Sequence, residues 1–191
     1  MRKNARLVMG VVVLLVATSG APRAGATTLA RLSLEQMARA ADAVVRVRCV
    51  SIESRWDGGA IWTFTGFDVS ETLKGAPPKR VTVRLPGGRV GQFTTNIEAV
   101  PRFEPCEEGF LFLEKMRAGD YSVTAWAEGT FRVKPATPRG AATVTQDSSA
   151  FPIFDPATRR FRTEGLRRLA VPQFHERLEA ALAAASAGGV R

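Results

Sequence analysis

Residues 41–75 limit the possible folds of this chain more than any other stretch. Two runs rich in β-branched and aromatic residues, Ala43 to Ser54 and Ala60 to Thr72, flank a short Trp56-Asp57-Gly58-Gly59 loop. That is the sequence form of a long antiparallel hairpin. In the first run Val45, Val47 and Cys49 alternate with Arg46 and Arg48, as a half-buried strand requires. The phase then changes, because Val50 and Ile52 stand on the arginine face. A bulge or a strong coil near Cys49 to Ser51 reconciles the halves, and Gly66 in the second run marks another bend or a close backbone approach. Strands that bend in this way suit a small barrel better than a flat sheet.

Further strands follow. Val81, Val83 and Leu85 alternate before Pro86-Gly87-Gly88, and Gly109 to Leu113 is apolar on both faces, as in a fully buried strand. Residues 120–127 and 129–134 supply two more alternating runs. Helices are expected at only two places. Ser33 and Gln36 form a capping box for a short helix from Leu34 to about Ala41. Near the end, Pro172 opens a helix whose stripe is Val171, Phe174, Leu178, Ala181, Leu182 and Ala185, and Gly188-Gly189 stops it. The resulting class is mainly β, a small Greek-key barrel or an open sandwich, with a short N-terminal helix and an amphipathic C-terminal helix.

The N-terminus bears on destination. Arg2, Lys3 and Arg6 precede an apolar run from Leu7 to Ala17, and Ala24-Gly25-Ala26 has the small residues that signal peptidase reads. A signal peptide over 1–26, cleaved after Ala26, implies a secreted or periplasmic protein. No later segment is apolar enough to span a bilayer. Loss of four basic residues with the signal lowers the net charge from +9 to +5. The remaining arginines are scattered among acids, so no nucleic-acid footprint is expected. The mature chain divides into a β domain over 27–134, an irregular Pro/Gly/Ser-rich arm over 135–170 and the packed helix over 171–187. Its two cysteines, Cys49 and Cys106, are expected to form a disulfide in an oxidising compartment, with two buried free thiols as the alternative.

Ala41-Asp42-Ala43-Val44-Val45-Arg46, then Leu73-Lys74-Gly75, then Gly109-Phe110-Leu111-Phe112-Leu113 together resemble the netrin-type modules and the tissue inhibitors of metalloproteinases, and also a set of uncharacterised exported bacterial proteins. The resemblance covers Ala41 to Val133. It implies an OB-like five-stranded barrel. The inhibitors chelate their target's zinc with a mature N-terminal cysteine, whereas this chain begins Thr27-Thr28 after cleavage, so the inhibitory mechanism is not implied.

Chemistry-bearing motifs are sparse. His175 is the only histidine, and the two cysteines lack zinc-pair spacing, so no metal and no cofactor are expected. There is no Gly-x-Ser-x-Gly, phosphate-cradling loop or His-Glu-x-x-His. Glu107-Glu108, or Asp42 with Asp68, are the carboxylate pairs that a hydrolase would need. No catalytic residue is assigned. Trp56, Trp62, Arg102 and Phe103, in loops or at a strand end, are the expected binding residues, with capping of the barrel core as the competing role of the aromatics. The expected function is a non-enzymatic module that binds a protein or glycan in the envelope or outside the cell. A protease-inhibitor-like module and a hydrolase with unidentified carboxylates are the alternatives.

Overall fold

The computed structural model describes residues 31–138 and 140–187. The signal peptide and the Gly188-Gly189 stop lie outside the described residues. The hairpin has two strands of 15 residues each, β1 (Ala43–Asp57) and β2 (Ala60–Lys74). Their register slips between Cys49 and Ser51, at the change of phase, and Gly66 lies opposite Ser51, whose side chain occupies the space a Cβ would need.

After β3 (Arg80–Pro86), a small hairpin pairs β4 (Gly88–Val90) with β5 (Phe93–Thr95). Then come β6 (Glu108–Lys115), β7 (Tyr121–Val123) and β8 (Thr130–Lys134). The expected strand over 120–127 stops at Val123 because Ala125 and Trp126 both take left-handed backbone, with φ 48° and 49°. Within 135–170 the structure is more regular than the composition implies. The free edge of β8 pairs with β9 (Thr143–Gln146), a 3₁₀ turn covers Asp147–Ala150, and β10 (Ile153–Asp155) pairs with β11 (Arg160–Arg162). β12 (Leu169–Ala170) then pairs with β9.

The main sheet has eight strands in the order β1-β2-β3-β7-β6-β8-β9-β12, and β1 also pairs with β6. β1, β2, β3, β7 and β6 therefore close partly into a ring, in which β3 and β7 run parallel through the single pair Val83–Tyr121. Side chains alternate across β1 and β6, so these strands serve two cores. Val45, Val47, Leu111 and Leu113 face the ring interior with Phe67, Val81, Val83 and Leu85. Val44, Phe110 and Phe112 face outward and are covered by helix α1 (Leu34–Ala40) and helix α2 (Val171–Ala187).

The capping box forms, with the Gln36 amide N–H donating to Ser33 Oγ and the Ser33 N–H donating to Gln36 Oε1. At the other end of α1, Lys74 Nζ donates to the carbonyls of Ala38 and Ala41, 2.7 and 2.5 Å away. A cation there satisfies carbonyls that the helix leaves free. Gly75, at φ 78°, lies so close to Asp42 that a Cβ would fall on the Asp42 carbonyl oxygen. Asp42 in turn accepts from the Lys115 N–H at 2.7 Å. The Ala41-Asp42 and Leu73-Lys74-Gly75 motifs thus form one junction that fastens α1 to the ring.

Candidate functional site

Beyond Arg48 the hairpin loses its β6 neighbour and continues with β2 and β3 alone. Strand parity decides what this projecting half displays. Ile52, Ser54 and Trp56 of β1 share a face with Ile61, Thr63 and Thr65 of β2. The β4–β5 hairpin lies on this face, since a Cβ on Gly88 would meet the hydroxyls of Ser54 and Thr63. It brings Phe93 edge-on to Trp56, with ring centroids 5.8 Å apart. Both rings are about half exposed, Trp56 at 51% and Phe93 at 54%, and Val50 and Ile52 are exposed nearby in sequence.

Trp62 lies on the opposite face, opposite Arg55 in the register. The Arg84 guanidinium sits 4.2 Å from its ring centre, Arg55 sits 3.7 Å from that of Phe64, and Arg84 pairs with Asp57 at 2.8 Å. Trp62 is therefore covered by a cation–π stack and is not a free anchor.

Arg102 and Phe103 are structural in their contacts. Arg102 Nη1 donates to Thr63 Oγ1, and its Nη2 donates to the carbonyls of Pro86 and Thr95, so it ties β2, the end of β3 and β5 together. Burial lowers its pKa. Phe103 packs edge-on to Phe67 at 4.9 Å and closes that part of the ring interior, with the Arg132 guanidinium 5.0 Å from its ring centre. Of the four expected binding residues, Trp56 alone is mainly exposed. Phe93 is not among the expected binding residues. The neighbouring Gly91 at φ 58°, which places Phe93 beside a tight turn, is the signal for it.

The expected Cys49–Cys106 disulfide is corrected: both cysteines are free. Their backbones do meet, since the Cys106 N–H donates to the Cys49 carbonyl at 3.0 Å. The side chains separate, with Cys49 buried in the ring core and Cys106 exposed in a left-handed turn at φ 68°. Burial, then the nearby Glu107 carboxylate, pushes the Cys49 thiol above its ordinary pKa and keeps it protonated.

Glu107 and Glu108 line a groove of about 430 Å³ with Arg48, Cys106 and Lys134. Each acid is already engaged: Glu107 with Arg132 at 2.6 Å and Glu108 with Arg46 at 3.3 Å. Asp42 and Asp68 are not brought together, for Asp68 stands opposite Arg48 while Asp42 precedes β1. Among the described residues no cluster of His, Cys, Asp and Glu is arranged to hold a metal ion, and no helix is long and apolar enough to cross a membrane. His175 docks α2 on β2, with Nε2 2.8 Å from Glu71 Oε1 and Nδ1 3.5 Å from Glu179. The hydrogen bond to Glu71 is the main cause raising its pKa.

The most unusual ionisable group is Glu128, which is fully buried. Gln146 Nε2 donates to its backbone carbonyl at 2.7 Å and lies 3.4 Å from its Oε2, while Oε1 has no hydrogen-bond partner among the described residues. Burial therefore raises the carboxyl above its ordinary value of 4.5. A native state that holds this proton more tightly than the unfolded chain loses stability as pH rises from the unfolded pKa through the folded one. Unfolding free energy should fall with a slope of at most about 1.4 kcal/mol per pH unit from this group. Glu128→Gln should remove that share in urea titrations at a series of pH values, leaving the contributions of Asp147 and His175, whose pKa values are also raised. An unchanged slope in the variant would assign the pH dependence elsewhere.

Compared with known proteins, the chain matches no protein-family model and no curated protein.

Proposed function

We propose that this protein is an exported, non-enzymatic binding module on an OB-like barrel, and that it holds a protein or glycan through the aromatic end of its long hairpin. The observation that carries the reading is the Trp56–Phe93 pair, two half-exposed rings in contact where the β4–β5 hairpin meets the projecting half of β1. Large aromatic side chains are enriched among residues that dominate binding energy, and a rigid sheet presents them at little entropic cost. Support for the OB-like assignment comes from the strand order of the ring and the parallel β3–β7 contact. Support for export comes from the basic head, apolar run and Ala24-Gly25-Ala26 of the first 26 residues.

The test uses the mature chain on a glycan array and in cross-linking on intact envelopes, beside Trp56→Ala and Phe93→Ala. Each substitution should weaken capture by about 2 kcal/mol or more, the level of an interface hot spot. Neither should lower the melting temperature appreciably, because each removes a half-exposed ring. Capture that is indifferent to both substitutions would refute the assignment of the tip.

A further inference from the structure

A second surface lies on β8, β9 and the segment leading into β12. Lys134 stands directly opposite Thr143 in the β8–β9 register, and Thr145 follows on the same face. With Ser149, Ala150, Arg167 and Arg168 they line an open groove of about 710 Å³. Every ionisable residue of this lining is basic. None of the three cations is within salt-bridge distance of a carboxylate among the described residues, whereas the neighbouring Arg132 is paired twice. The wall that carries the arginines is held in place. The Gln146 N–H donates to the Leu166 carbonyl and the Leu166 N–H to Gln146 Oε1, the Arg168 N–H donates to Thr145 Oγ1 at 3.2 Å, and Leu169 pairs with Val144. Arg167 Nη2 donates to the Ser149 carbonyl, and Gly165 fits so closely on Ser149 that a Cβ would crowd its backbone.

From this groove we infer a site for an anionic polysaccharide bearing sulfate or phosphate esters. Guanidinium groups match the oxygens of such esters, and the threonine hydroxyls between them suit the sugar. Among the described residues no aromatic side chain lines the groove for a base to stack on, so the same charge does not favour single-stranded nucleic acid. The inference does not depend on the hairpin tip, and its variants leave Trp56 and Phe93 intact.

Calorimetric titration of the mature protein with heparin, phosphomannan, neutral mannan and a thymidine oligonucleotide tests it. Heparin or phosphomannan should bind, whichever does identifying the ester, and neutral mannan should not. The double variant Lys134→Ala/Arg168→Ala should weaken that binding about tenfold or more at low salt and flatten its salt dependence. It leaves the Arg167–Ser149 contact in place, so its melting temperature should match the parent. The double variant Arg117→Ala/Arg160→Ala, two exposed arginines outside the groove, should bind as the parent does. Binding of neither charged glycan, an equal loss in the control variant, or tighter binding of the oligonucleotide would each overturn the inference.

Discussion

Replacing Arg132 with methionine is expected to destabilise the protein by about 3 kcal/mol, the low end of the cost of breaking one side of a buried ion pair, because this pair is partly buried. Arg132 leaves β8 and joins two segments that the sheet does not hold. Its Nε and Nη2 grip both carboxylate oxygens of Asp147 at 2.6 and 2.8 Å, in the 3₁₀ turn. Its Nη1 donates to Glu107 Oε2 at 2.6 Å and its Nη2 to the Arg102 carbonyl at 2.6 Å, in the long loop before β6. Removing the guanidinium strands a carboxylate at Asp147, whose side chain is only 15% exposed. Burial already raises that carboxyl even with the arginine in place. The further change Asp147→Leu should restore part of the loss, because an apolar pair avoids the unpaired charge. Urea unfolding of the two variants reads both terms. A loss below about 1 kcal/mol for Arg132→Met would show that this pair behaves like an ordinary surface bridge.

The same arginine shows where sequence reasoning stops. Period and turn chemistry are local, so the hairpin, its bulge at Cys49–Ser51, both helices and the buried strand at Gly109–Leu113 were legible. Leu73-Lys74-Gly75 was legible as punctuation. Its purpose was not, because Lys74 and Gly75 act on Ala38, Ala41 and Asp42, which only the fold brings near. The candidate sites suffered most. A tryptophan in a loop reads alike whether it is free, as Trp56 is, or under a guanidinium like Trp62 at a strand end. Arg102 and Phe103 sit side by side in a proline-rich loop, and nothing local reveals that one ties three strands while the other fills the ring beside Phe67. The cysteines erred differently. Compartment and count predict a bridge, but side-chain direction at a left-handed Cys106 is a property of the backbone. The basic groove draws Lys134, Arg167 and Arg168 from segments more than 30 residues apart in sequence, so no charge run announces it.

Phe174→Ala should cost about 3–5 kcal/mol, and the form of the transition matters as much as its size. The Phe174 ring is fully buried, 5.0 Å from Phe110 and 4.9 Å from Phe131, at the centre of the outer core. An amphipathic helix at the end of a chain is easily taken for an appendage that can detach while the barrel survives. The strands beneath argue otherwise. Val44, Phe110 and Phe112 alternate with Val45, Leu111 and Leu113, so β1 and β6 carry apolar side chains on both faces and cannot face water on the helix side. Freeing α2 would uncover Phe110 on the ring strand β6 and Phe131 beside it on β8. The two cores should therefore melt together, and calorimetry of Phe174→Ala should show one transition at lower temperature. Two transitions, with the upper at the parent's temperature, would mean that the ring stands without its helix.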